Sequence, residues 1–176
     1  GAGVGLAIVK QLVEQTGECA HAAVATGRWV TVIDDVETGQ ALRVVAGRGR
    51  RVPFHCTSAG KCLLAFGAAD APDDMPARTS RTITDAARMR AHLSEIAALG
   101  YALDDEENDI GVRCISAPVF VGDAPDAIAC IGIDGPSVRV AGPAIDEMAA
   151  AVTTAAAELS RQLGRQWNRT TRAEGA

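Results

Sequence analysis

Apolar residues recur at helical steps near both ends of the chain and alternate in strand-like fashion between them. Ile8, Val9, Leu12 and Val13 form one face of an N-terminal helix that stops at Gly17. Ile145, Met148, Val152, Ala156, Leu159 and Leu163 form the stripe of one long amphipathic helix, expected to end at Gly164 and to leave a frayed polar tail. Three β-like runs follow the first helix: "CAHAAVA", "WVTVIDDV" and "ALRVVAG". The gaps between them, Thr26-Gly27 and Thr38-Gly39, predict antiparallel hairpins. Beyond Pro53 a short helix carries "LLAFG" and stops at Gly67, and "APDDMPARTSRT" reads as loop. Thr84 is placed to cap the next helix, with Met89, Leu93 and Ile96 as its buried stripe and Gly100 as its end. "YALDDEEND" is extended and then turns, and "GVRCISAPVF" and "DAIACIGIDG" form a hairpin across "VGDAPD". No parallel β-α-β alternation occurs. The predicted class is α+β, a curved antiparallel sheet with helices packed on it.

Composition narrows this picture. A chain of 176 residues suits a single domain spanning 1–176. With 48% of residues hydrophobic but only 3% aromatic, the core must be built from Ala, Val, Ile and Leu. No apolar run reaches the roughly 20 residues of a membrane span. The N-terminal stretch carries Lys10 and Glu14 within its apolar pattern and has no basic lead-in, so it does not read as a signal peptide; a cytoplasmic location is expected. The formal net charge of −5 argues against a domain that grips DNA by itself. The five cysteines are Cys19, Cys56, Cys62, Cys114 and Cys130, an odd number with no CxxC pair. They read as buried free thiols in a reducing compartment, with neither a disulfide framework nor a structural metal. No cofactor is expected.

The stretch "HCTSAGKC", His55 to Cys62, concentrates the candidate chemistry. A phosphate loop of the form GxxxxGK[ST] fails at both ends, where His55 and Cys62 stand. A catalytic Cys56 needs a base, and adjacent residues such as His55 point to opposite faces of an extended segment. His21 and His92 have no motif around them. A helix start remains: Thr57 or Ser58 caps it, and the backbone N–H groups of Ala59 and Gly60 are candidates to hold a carboxylate. A capped helix with no ligand is the plainer alternative.

"HCTSAGKCLLA", "RTIT", "GYALDDEENDIGVRCISAPVF" and "IGIDGPSVR", in that order and spacing, resemble the effector-binding domain of the IclR family of bacterial transcription regulators. The resemblance runs from about Val4 to Gly164. It implies a GAF-like fold, a homodimer or homotetramer, and no enzyme. It also implies an N-terminal winged helix-turn-helix, absent from this chain, through which alone DNA would be bound. The implied partner is a small organic effector bearing a carboxylate, with no membrane.

Carried over residue by residue, the resemblance implies an effector held by the amides of Ala59 and Gly60, a hydrogen bond between Asp104 and the effector, and Cys114 in the pocket wall. Gly132 and Asp134 stand where the family commonly has small hydroxyls, so this chain departs from the pattern there. Strand alternation places Cys130, Gly132 and Asp134 on one face with Cys114 and Ser116, and turns Ile115, Ala117, Val119, Ile131 and Ile133 to the other. Asp134 is either a pocket carboxylate or a solvated turn acid. A metal held by Asp104, Asp134 and Cys114 is conceivable, but no ligand spacing demands it. His55 and Lys61 either orient the turn or pack as cover, and Trp29 is either core or an interface anchor. Two rivals stay open: a thiol-dependent enzyme using Cys56 or Cys114, and a ligand-free oligomerisation module.

Overall fold

The computed structural model describes residues 2–174, and side chains from 5 to 168. The elements run α1 (Ala2–Thr16), β1 (Cys19–Thr26), β2 (Trp29–Val36), β3 (Arg51–Val52), α2 (Ser58–Ala65), α3 (Ala86–Leu99), β4 (Ala102–Asp105), β5 (Val112–Val119), β6 (Ala129–Pro136) and α4 (Pro143–Glu174). The six strands form one sheet in the order β3-β2-β1-β6-β5-β4. Every pairing is antiparallel, so the α+β class holds.

Helices cover both faces. Ile8, Val9 and Leu12 of α1 and Val152, Ala156 and Leu159 of α4 pack on Ile115, Ala117, Val119, Ile131 and Ile133 of the two central strands. The other face packs Ala23, Val30 and Cys130 against Ala59, Cys62, Leu63 and Leu64 of α2 and Ile96 of α3. Burial of this kind contributes about 25 cal/mol per Å² of apolar surface removed from water. The long strands β5 and β6 are therefore buried on both sides, which explains their nearly continuous apolar sequence.

Four local expectations are corrected. The run "ALRVVAG" does not form the third strand; that role falls to Arg51–Val52. Gly47 and Gly49, with φ of 82° and 84°, fold residues 47–50 into a turn, and Gly49 N donates to Val32 O at 2.7 Å. Val44 to Ala46 are thereby turned toward a cavity instead of joining the ladder. The cap of α3 is Asp85, whose side chain accepts from Arg88 N at 2.9 Å, and not Thr84. Gly164 does not end α4: a Cβ there would meet Gly122 N at 3.5 Å, so the glycine marks a close approach of the β5–β6 loop to a helix that continues. The tail expected to fray is accordingly helical to Glu174. Trp29 is not core; it is 44% exposed at the tip of the β1–β2 hairpin.

Gly67 and Gly100 do end their helices. Gly67 N donates to Leu64 O and Ala68 N to Leu63 O, closing the last turn of α2 around a positive φ of 79°.

Candidate functional site

Strand register builds the wall of a cavity. Asp104 of β4 lies opposite Cys114 of β5, Cys114 opposite Asp134 of β6, and Asp134 opposite Cys19 of β1. The next row runs Ala102, Ser116, Gly132, His21. Directly opposed residues share a face, so both rows look toward α2. The N-terminus of α2 closes one side through Thr57, Ser58 and Ala59, and Val44, Val45, Ala46 and Arg50 of the β2–β3 connection close another. The enclosed space is about 70 Å³.

Asp134 is a wall residue and not a solvated turn acid: it is only 7% exposed and it lines the cavity. Its Oδ2 stands 2.6 Å from Nδ1 of buried His21. Burial alone would discharge the imidazole, but the Asp134 carboxylate outweighs it and lifts His21 to about 10, so the pair is ionic at neutral pH. His21 Nε2 then reaches Ser116 Oγ at 3.3 Å, and Ser116 Oγ meets Ser58 Oγ at 2.8 Å. One polar chain thus joins Asp134 to the first residue of α2. Its acid-histidine-serine order parallels a hydrolase triad, but Ser116 has no exposed surface and does not line the cavity.

Gly132 does not leave an empty space. A side chain there would overlap Ile115 O, and its Cβ would stand 2.5 Å from Ser116 Oγ and 2.9 Å from His21 Cε1. The His21 ring takes the volume that a residue 132 side chain would fill, and Gly132 itself is absent from the lining.

At the helix start, Thr57 is the N-cap: its Oγ1 accepts from Gly60 N at 3.1 Å. The expectation of a free Gly60 amide is therefore corrected. Gly60 is required for another reason, since a Cβ there would overlap the Phe54 backbone. Ser58 and Ala59 occupy the first two helical positions, whose amides have no carbonyl in the helix to bond; among the described residues none takes them up. Both residues line the cavity.

Asp104 faces the same space. Its Oδ1 accepts from Glu107 N at 2.8 Å, and burial, reinforced by the Glu107 carboxylate, raises its pKa to about 7. Lys61 does not cap the turn from outside. It is fully buried and donates to Glu107 Oε1 and to Leu103 O, locking α2 to the β4–β5 turn, with His92 Nε2 3.0 Å from its Nζ. His55 bonds the carbonyl of Pro76, away from the cavity.

All five cysteines are free and buried. Burial pushes Cys56 up to about 12, and burial and the Asp134 charge hold Cys114 well above the ordinary thiol value. Neither is poised as a nucleophile. Cys130 is lowered to about 6 by hydrogen bonding from Cys62 and by His21, yet it has no exposed surface. Among the described residues, no three His, Cys, Asp or Glu side chains are grouped to hold a metal.

The structure therefore gathers Ala59, Asp104, Cys114 and Asp134 around one cavity and sets Gly60 and Gly132 behind its wall. Sequence reasoning missed His21, Ser58 and Arg50. His21 did leave a signal: it is the one basic side chain in a strand of mostly small residues, and Gly132 faces it.

The profile of the family described as "Bacterial transcriptional regulator IclR C-terminal" matches residues 4–161. The HTH-type transcriptional regulator BhcR of Paracoccus denitrificans is 36% identical over 162 residues, covering 87% of this chain and 57% of that protein. The transcriptional repressor IclR of Escherichia coli is 29% identical, covering 89% of this chain and 60% of its own length. The chain thus spans about 60% of the length of these curated relatives. Among solved structures, IclR of Thermotoga maritima superposes with a TM-score of 0.82 at 29% identity, over 92% of this chain and 67% of that one. The C-terminal domain of the E. coli regulator KdgR superposes with a TM-score of 0.77 at 27% identity, over 92% of this chain and 96% of that one. On the match of its sequence and its fold, this chain belongs to the IclR family of bacterial transcriptional regulators, in the part that forms the family's C-terminal domain.

Proposed function

We propose that this domain is the sensor of a transcription regulator and that its ligand is a small organic acid bound in the cavity between α2 and the sheet. The observation that carries this reading is the juxtaposition of the two unbonded amides at the start of α2 with a wall of buried polar side chains. The amides of Ser58 and Ala59 receive the carboxylate, favoured by the helix dipole by up to about 2 kcal/mol when partly buried. Asp134 accepts a hydrogen bond from a ligand hydroxyl, and Asp104 meets a second oxygen. A water-sized group needs about 10–15 Å³ of such space, so 70 Å³ suits a ligand of about five to seven non-hydrogen atoms. Glycolate and lactate are of that size and carry both groups.

Ligand binding acts by linkage: it favours one arrangement of the assembly and shifts operator affinity by its differential affinity, about 5 kcal/mol for a nearly complete switch. DNA is contacted by an N-terminal segment outside this chain, in the cytoplasm, by a homodimer or homotetramer. Sedimentation at tens of micromolar protein tests the assembly; a monomer alone removes that part of the proposal. A thermal-shift screen of small acids tests the sensor. A true ligand at a hundredfold excess over its Kd stabilises by about 2.7 kcal/mol, and a flat response across hydroxy, keto and aromatic acids rejects the reading.

A further inference from the structure

The cavity has an unbalanced charge for a site that takes an anion. Its lining holds three carboxylates, Asp104, Asp109 and Asp134, and two cationic side chains, His21 and Arg50. His21 is already committed to Asp134 at 2.6 Å. Arg50 is the other cation, and its guanidinium has no ion-pair or hydrogen-bond partner among the described residues. Its backbone, in contrast, is fixed. Arg50 N donates to Gly47 O, and Arg50 O accepts from Val32 N, both at 3.0 Å. Strand alternation from this anchor turns Arg50 and Val52 to the cavity side, where both line it, with Arg50 exposed at its open edge; Arg51 is also exposed but does not line the cavity. The chain thus spends a well-placed turn on presenting one unpaired cation at the mouth of an acidic pocket.

We propose that Arg50 is the charge-selecting residue of this cavity: its guanidinium closes on the ligand carboxylate from the 47–50 turn while the Ser58 and Ala59 amides hold the same group from α2. The inference rests on the reading of the cavity as an effector site and names what that site selects, an anion over its neutral isostere. A planar guanidinium offers paired donors to a carboxylate, which an ammonium replaces only as a point charge. Without Arg50, an incoming carboxylate meets Asp104 and Asp109 uncompensated.

The test is calorimetry of the domain 1–176 with lactate and with lactamide, which differ in charge and hardly in shape. Wild type is expected to bind lactate at least tenfold more tightly than lactamide. Arg50→Gln is expected to lose that preference, Arg50→Lys to keep part of it, and Arg51→Gln to match wild type. Equal lactate affinity in wild type and Arg50→Gln overturns the role of Arg50 and leaves the sensor reading standing. Equal affinity of wild type for lactate and lactamide overturns charge selection in the same way. Binding of neither compound to wild type overturns the proposal, and the sensor reading falls with it only where the wider acid screen is flat as well. A melting temperature lowered equally in Arg50→Gln and Arg50→Lys assigns Arg50 a structural role and also overturns the proposal.

Discussion

Asp134 and His21 stabilise each other only as a pair. Removing one partner of a buried ion pair strands the other and costs about 3–5 kcal/mol. Asp134→Asn is therefore expected to destabilise the domain by about 3 kcal/mol in denaturant titration, and to return His21 to a pKa at or below its ordinary 6.5. In the wild type the ring stays protonated toward pH 10, so its contribution is complete below pH 6.5, declines as pH rises above that value and is lost once pH has passed about 10. An NMR titration showing wild-type His21 neutral at pH 8 contradicts this account. Asp104 has the same sign of pH dependence for a different reason, the burial of a carboxyl group and not the gain of an ionic partner. Its folded pKa near 7 exceeds the ordinary 3.8, so the native state holds the extra proton and stability declines as pH rises from about 4 to 7. Asp104→Asn keeps an acceptor for Glu107 N and carries no charge. It is expected to match wild type near pH 4 and to exceed it by at least about 1 kcal/mol at pH 8. Equal pH dependence in the two proteins refutes the assignment. Asp134 illustrates where sequence reading stops. Alternation along β6 put it on the right face, but only the pairing of β1 with β6 brings in His21, 113 positions away.

At the scale of elements, the start of α2 is held by a cap and a contact. Thr57→Ala removes the acceptor of Gly60 N and is expected to cost about 1 kcal/mol. Gly60→Ala forces a methyl into the Phe54 backbone, and its larger loss is that of a backbone displacement, about 3 kcal/mol or more. The same logic separates neighbours at α3: Asp85→Ala is expected to lose about 1 kcal/mol and Thr84→Ala a few tenths, as read from chemical denaturation. The reverse order restores Thr84 as the cap. The periodic elements were legible because burial imposes their spacing directly. Ile8 to Val13 and Ile145 to Leu163 report one packed face each. Residues 39–50 were not legible because Val44 and Val45 look like a strand in composition, yet positive-φ turns at Gly47 and Gly49 take them out of the ladder. Gly164 misled for a related reason: a glycine serves a helix end or a close contact equally well, and only the β5–β6 loop decides which.

On the scale of the whole molecule, the cavity lies where segments of very different stability meet. One wall is β5 and β6, buried on both sides by α2 and by α1 with α4. The opposite closure is the 39–50 connection, which contributes only a few backbone bonds, chiefly those of Gly49 and Arg50 with Val32 and Gly47. Segments with few backbone bonds and partly exposed side chains open at low free energy, whereas the doubly covered strands open only with global unfolding. A ligand touching both therefore lowers the opening probability of the weak segment far more than that of the strong one. Its binding energy is expressed as ordering of residues 44–50 and of the first turn of α2, and this is the structural change available for transmission to the rest of an assembly. Hydrogen exchange with saturating lactate is accordingly expected to slow residues 44–50 and 58–60 at least tenfold. In α1 and the first turns of α4, exchange should slow only as far as global stability rises. Uniform slowing across the domain shows that the ligand stabilises the fold without ordering the connection. Slowing confined to α4 places the site elsewhere. Either result removes the 39–50 connection from the mechanism.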